Sequence, residues 1–169
     1  MVKVIKTKRL EIKPYQDADQ NAMIKLLTNE KIKESFMIND FKTEKEAIIM
    51  FKKLQAFSYS WEHFERGIYI KDILIGFVND VEISDELIEL GYVINPDYQN
   101  KGYASEMLNA VINELFNDGF RQIVAGAFDN NYASIRVMQK CGMSKITKEE
   151  DICYQGLLRH CYYYAAFRD

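Results

Sequence analysis

The sequence predicts one α/β (α+β) domain over residues 1–169, a mixed central sheet of about six to seven strands with about four helices. Three observations predict it. Apolar and polar residues alternate in the N-terminal and middle segments, as in half-buried strands. Two other stretches carry apolar residues at the helical period. Finally, residues 87–128 run apolar strand, glycine-bearing loop, periodic helix and second apolar strand. That β–α–β order requires a right-handed crossover, which makes strands 87–94 and 121–128 parallel.

In chain order, the alternation in "VIKTKRLEIKPY" predicts a first strand. Asp17 with Gln20, and Thr43 with Glu46, have capping-box spacing and open helices over 18–29 and 44–57. Between them "KIKESFMINDF" reads as irregular, anchored by Phe36, Met37 and Phe41. "IYIKDILIGFVNDVEI" and "ELIELGYVI" read as hairpin-connected strands, with turns at Asp72 and at Ser84-Asp85-Glu86. Ala104, Met107, Leu108, Val111, Ile112, Leu115 and Phe116 define a helix over 104–117, closed by Gly119 beyond its C-cap. "RQIVAGAF" is apolar enough for a strand covered on both faces. "DNNYAS" turns into a short helix ending at Cys141-Gly142, and strands over 144–154 and 158–167 complete the chain.

Composition excludes several classes. A net charge of −3 argues against nucleic-acid binding by phosphate neutralisation. No run of about 18 apolar residues is present to span a bilayer. The N-terminal segment lacks the apolar core and cleavage site of a secretory signal, so a cytoplasmic location is expected. The three cysteines lack ligand spacing and read as free buried thiols, and no metal is expected at the His160-Cys161 pair.

The most distinctive segment is "PDYQNKGYAS", residues 96–105. A strand, a glycine-bearing loop and a helix start together form an anion site, because first-turn N–H groups lack partners and the helix dipole favours negative charge. Gly102 permits close approach of a phosphate, while Lys101, Gln99 and Asn100 add charge and donors. The pattern is neither a P-loop nor a dinucleotide fingerprint, and a plain turn is the competing reading.

Gln99-Asn100-Lys101-Gly102-Tyr103-Ala104 resembles the Q/R-x-x-G-x-G/A loop of the GCN5-related N-acetyltransferases (GNATs). "IELGYVINPDYQNKGYASEML" resembles the corresponding block of their RimJ/RimL-like branch. "NNYASIRVMQKCGM" is similar to that branch's N-x-x-S-x-x-V-x-x-K-x-G-F segment, with Met143 in place of Phe. The first sixty or so residues match only loosely. The resemblance implies that the loop, Gln99 to Ala104, wraps the pyrophosphate of acetyl-CoA. It also implies a splayed parallel pair in the sheet, with the pantetheine arm bonded to backbone groups of Tyr92, Val93 and Ile94. Asn131 is assigned to the same cosubstrate, and it also fits the N-cap of its helix.

The implied chemistry is acetyl transfer to a primary amine by direct attack in a ternary complex. The amine must be neutral, the carbonyl polarised and the leaving thiolate protonated. Glu89 is the candidate base. It interrupts an apolar strand, where burial is expected to raise its pKa, and it falls on the glutamate of the family block. A surface glutamate paired with lysine is the alternative, and Glu82 and Asp80 are next in line. Many GNATs carry a tyrosine acid where this chain has Met138, so the resemblance leaves Ser134 as the thiolate's partner, with Tyr132 as a third option. Ser134 also reads as a first-turn serine bonding backbone. Trp61, Phe64 and Tyr69 read as core packing ahead of acceptor-pocket lining, and at least one of Tyr162, Tyr163 and Tyr164 should be core.

The acceptor stays open at this point. A protein N-terminus competes with a small amine such as a polyamine, an amino acid or an antibiotic, and a catalytically silent CoA-binding module is the reading from another class. No nucleic-acid or membrane partner is expected, and a homodimer is left open.

Overall fold

The N-terminal alternation makes two strands. The Thr7 N–H bonds the Leu10 carbonyl at 2.9 Å, and the Leu10 N–H bonds Thr7 Oγ1 at 2.9 Å. This turn splits the segment into β1 (Ile5–Lys6) and β2 (Glu11–Lys13), which pair antiparallel. The computed structural model describes residues 1–169 and adds α1 (Gln20–Leu27), α2 (Glu30–Lys33) and α3 (Glu44–Ser58). A 3-10 turn over Asp17–Asp19 precedes α1.

The expected Asp17 cap is corrected. Its carboxylate bonds Lys52 Nζ at 2.9 Å and Gln55 Nε2 at 3.0 Å, whereas Asp19 Oδ2 accepts the Gln16 N–H at 2.7 Å. At α3 half of the expected box forms: Thr43 Oγ1 accepts from the Glu46 N–H, while Glu46 Oε2 accepts the Lys42 N–H, one residue before the cap, at 2.7 Å. One-turn α2, which lies mostly in the stretch read as irregular, is held by Asn29, whose Oδ1 accepts the Ile32 N–H.

The remaining elements are β3 (Glu65–Ile70), β4 (Ile73–Ile83), β5 (Leu87–Ile94), α4 (Tyr103–Asn117), β6 (Gln122–Phe128), α5 (Tyr132–Lys140), β7 (Ser144–Tyr154) and β8 (Leu157–Phe167). Backbone hydrogen bonds join eight strands in the order β1-β2-β3-β4-β5-β6-β8-β7, with β5 and β6 parallel. The sheet exceeds the expected six to seven strands because the first predicted strand is two. Five helices exceed the expected four because α2 was not anticipated. No helix is long and apolar enough to cross a membrane.

The chain forms two compact units. One comprises Met1–Asn79 and Tyr92–Tyr103, the other Asp80–Gly91 and Ala104–Asp169. In the first, Tyr15, Met23, Phe51, Tyr69, Phe77 and Val93 share a buried cluster. Two of its tyrosines are anchored by buried carboxylates. Tyr69 donates to Asp19 Oδ2 at 2.5 Å, and Tyr15 donates to Glu65. In the second, α4 buries Met107, Leu108, Val111, Ile112 and Leu115 along one stripe, each contributing about 1.5–3 kcal/mol by leaving water. Gly119, at φ 109°, lets the chain turn so that the Phe120 N–H closes on the Leu115 carbonyl at 3.1 Å. A second buried cluster there joins Val124, Phe128, Cys161, Tyr163 and Ala165. Of the three cysteines only Cys161 is buried; Cys153 is exposed on the β7–β8 hairpin, which corrects the expectation of buried thiols. Tyr163 and Tyr164 are both buried, since β8 is covered on both faces at that point.

Candidate active site

The loop from Asn95 to Tyr103 is shaped mainly by its backbone. Asn95 Oδ1 accepts the Asp97 N–H at 2.9 Å and opens a 3-10 turn over Pro96–Tyr98. Asn100 (φ 60°) and Gly102 (φ 83°) then place two left-handed residues around Lys101. Asparagine tolerates this conformation better than most side chains, and glycine adopts it without strain. α4 starts immediately afterwards at Tyr103, so its first-turn N–H groups lie directly against the loop. Gln99 turns inward: its Nε2 donates to the Ile94 carbonyl at 2.9 Å and ties the loop to the end of β5. Lys101 is exposed, with its ammonium 3.4 Å from the Asp97 carbonyl and 5.7 Å from the Tyr98 ring centre.

Arg9, which the sequence reading did not single out, reaches this loop from the β1–β2 turn. Its Nη1 donates to the Lys101 carbonyl at 2.9 Å, and its guanidinium lies 4.4 Å from the centre of the Tyr103 ring. Nothing in local sequence marks it, because the two segments are 92 residues apart.

Just before the loop, Val93 and Ile94 are buried, and the Asn95 N–H bonds the Ile75 carbonyl at 2.7 Å. Gly76 makes this approach of β4 to β5 feasible, since a Cβ there would stand 2.1 Å from the Val93 carbonyl oxygen. Lower on β5, Leu87–Leu90 pair in parallel with Gln122–Ala125, and the ladder stops there. β5 still runs on to Ile94, and β6 runs on to Phe128, paired through its other edge with β8.

Glu89 lies within that ladder and is buried at 7% exposure. Lys148 Nζ sits 3.0 Å from its Oε2. The lysine comes from an irregularity in β7, where the register with β8 jumps between Lys145 and Glu149. A bulge of this kind re-aims side chains that a regular strand would place elsewhere. The Lys148 ammonium also lies 4.2 Å over the Tyr163 ring, and Tyr163 donates to Glu150 Oε2 at 2.5 Å. Burial opposes the Lys148 charge, yet Glu89, Glu150 and Glu82 outweigh it and hold its pKa above the ordinary lysine value. Burial, reinforced by Glu150, pushes the Tyr163 phenol far above its usual range. Gly126 leaves room for that ring, since a Cβ there would be 2.8 Å from it. Glu89 is therefore a buried carboxylate with a lysine at ion-pair distance.

α5 begins at Asn131, whose Oδ1 accepts the Ser134 N–H at 3.2 Å. This fulfils the capping role foreseen for Asn131. Ser134 sits half-buried in the first turn, and Tyr132 is 72% exposed. Met138, the position where the resemblance set a tyrosine acid, is fully buried and part of the core.

The first unit also contains a cleft of about 190 Å³ lined by Phe36, Ile38, Phe41, Phe77, Glu65 and Asn79, among others. Phe36 and Phe77 meet edge to face at 5.4 Å, and the Glu65 carboxylate accepts from Tyr15. The apolar anchors noted in "KIKESFMINDF" supply one wall. Trp61, Phe64 and Tyr69 do not line it: Trp61 is 81% exposed, and the other two are buried.

Residues 9–144 match the acetyltransferase (GNAT) domain, and the chain belongs to the GNAT family of acetyltransferases. It is an N-acetyltransferase that uses acetyl-CoA. Among its relatives, the uncharacterised N-acetyltransferase YnaD of Bacillus subtilis (strain 168) is 29% identical, covering 98% of this chain and 97% of YnaD. A GNAT-family acetyltransferase from Bacillus anthracis superposes with a TM-score of 0.83 at 26% identity, over 98% of each chain. RimL, a ribosomal L7/L12 α-N-protein acetyltransferase solved with coenzyme A, gives a TM-score of 0.85 over 98% of each chain. At 16% identity, that last likeness is one of fold.

Proposed function

We propose that this enzyme acetylates the α-amino group of a protein or peptide, by direct attack of the amine on the thioester in a ternary complex. Acetyl-CoA supplies the activated acetyl group. The loop from Gln99 to Ala104 receives its pyrophosphate, backbone groups of Tyr92, Val93 and Ile94 receive the pantetheine arm, and Asn131 adds a polar contact. The left-handed loop conformation and the bare Cα of Gly102 suit an anion, and Arg9 and Lys101 supply positive charge. The Gln99 side chain contributes by fixing the loop to β5.

The observation that carries the α-amine reading is the Glu89–Lys148 ion pair. Lys148 shares the carboxylate that would receive the amine's proton, so the acceptor that needs least deprotonation is favoured. An α-amino group, with a pKa of about 8, is roughly a tenth neutral at pH 7; a lysine-type amine, at about 10.4, is below a thousandth. Glu89 takes the proton of the attacking amine, directly or through one water. The new C–N bond forms as the C–S bond breaks, and Ser134 hydrogen-bonds the departing thiolate, which takes a proton from solvent to leave as the thiol of CoA, while Glu89 returns its proton to solvent. RimL, named for acetylating a ribosomal protein at its α-amine, shares the fold and supports the same acceptor class.

A CoA-release assay on an amine panel tests this. Peptides with free N-termini should turn over. The same peptides with blocked N-termini but an internal lysine should be inert, and polyamines should be poor acceptors. Preferred turnover of small amines would refute the α-amine reading, and no turnover with any amine would refute catalysis.

A further inference from the structure

The guanidinium of Arg9 makes two different contacts with one loop, and both bear on how acetyl-CoA is held. We infer that Arg9 is a cosubstrate-binding residue, which braces the loop in its ligand-ready shape and donates to the pyrophosphate seated on it. This rests on the assignment of Gln99 to Ala104 to the pyrophosphate.

Arg9 Nη1 donates to the Lys101 carbonyl at 2.9 Å. This fixes the Lys101 carbonyl, which lies between the left-handed residues Asn100 and Gly102. The guanidinium carbon lies 4.4 Å over the ring of Tyr103, the first residue of α4. The second terminal nitrogen, Nη2, lies 3.3 Å from where a Cβ on Gly102 would stand. That point is on the side-chain face of the residue whose bareness lets an anion approach. A phosphate oxygen placed against Gly102 is therefore within hydrogen-bond reach of Nη2. Only a planar group with several fixed donors can brace a carbonyl, stack on a ring and face an anion at once. A lysine ammonium in the same place supplies charge but neither the stacking plane nor the fork.

The chemistry recognised is a diphosphate ester, and the test separates that part of acetyl-CoA from the reacting thioester. S-acetylpantetheine carries the same acyl thioester without the diphosphate. For Arg9→Ala, the KM for acetyl-CoA should rise roughly ten- to hundredfold, the range expected for losing a charge-assisted hydrogen bond. The KM for the amine, and kcat/KM with S-acetylpantetheine, should stay within about twofold of the parent enzyme. Arg9→Lys should recover only part of the loss, and raising the salt concentration should narrow the gap between parent and Arg9→Ala.

Gly102→Val serves as the reference. If it weakens acetyl-CoA binding while a folded Arg9→Ala binds normally, the role of Arg9 is refuted and the loop assignment stands. If neither variant affects acetyl-CoA, both fall. An equal loss for acetyl-CoA and S-acetylpantetheine in Arg9→Ala would mark the arginine as a general structural element and also refute the inference.

Discussion

The loop over residues 95–103 and the Glu89 pair are built in opposite ways. Residues 95–103 take their shape largely from main-chain geometry: a 3-10 turn, two left-handed residues and a helix start, with Gln99 and Arg9 pinning carbonyls. The Glu89 site is built by side chains: a carboxylate on β5, an ammonium delivered by the irregularity in β7, and an aromatic ring on β8 beneath it. A backbone-built site tolerates changes of side chain except where the backbone itself requires glycine. A side-chain-built site fails when a single functional group is exchanged. Binding and chemistry should therefore respond separately to mutation.

The largest expected effect lies on the side-chain half. Glu89→Gln preserves shape and hydrogen-bonding reach but removes the proton acceptor. kcat/KM for the amine should fall by roughly 10²–10⁴ near neutral pH, with acetyl-CoA affinity unchanged. The deficit should shrink at higher pH, where more of the amine is neutral without help. Normal turnover per folded molecule would make Glu89 a structural residue and remove the contrast.

On the backbone half, Gly102→Val should weaken acetyl-CoA binding by roughly 10²-fold, because a β-branched residue resists φ 83° and fills the approach to the loop. The parent enzyme should gain melting temperature with acetyl-CoA and with desulfo-CoA alike, since both carry the pyrophosphate. The variant should lose that gain while retaining its fold. An undiminished thermal shift in Gly102→Val would show that the loop is not the binding element.

The smallest expected effect sharpens the comparison on another side-chain-built cluster. His160 on β8 lies 2.7 Å from Asp151 and 3.1 Å from Glu149. Asp151 raises its pKa above the ordinary value, burial works slightly against this, and Glu149 adds to the rise. The folded state thus prefers the imidazolium. Its contribution to stability is complete below the unfolded pKa of about 6.5 and disappears as pH rises through the higher folded value. An NMR titration should place His160 above the ordinary histidine value, and Asp151→Asn should bring it down. An unshifted midpoint would show that exposed side-chain clusters here carry no electrostatic bias.

The same contrast explains what was legible in the sequence. The loop, α4 and its glycine stop were readable because backbone constraints leave local marks: a glycine in register, a capping residue, an apolar stripe. The bounds of α4 moved by one residue, and Gly119 fell where a C-cap glycine belongs. Burial of Glu89 was foreseeable from its place in an apolar strand. Its partner was not, because Lys148 owes its position to a register jump that no periodicity announces. Arg9 was hidden for a related reason: the turn that presents it divides a segment whose alternation reads as one strand. Asp17 does not cap because contacts with Lys52 and Gln55 draw its carboxylate away, while Asp19 reaches back to the Gln16 N–H at the start of the 3-10 turn.

The contact between Arg9 and Lys101 also sets an order of assembly. The two residues are 92 positions apart, more than half the chain. On a chain emerging from its N-terminus, the arginine is exposed long before the carbonyl it will hold has been synthesised. Closing so long a segment is entropically costly, and contacts of this range are among the last to become favourable during folding. On the proposed assignment of this loop, the capacity to hold acetyl-CoA is a late acquisition of the nascent protein. On the same assignment, bound cosubstrate favours the closed segment by mass action and fastens the β1–β2 turn to the loop before α4.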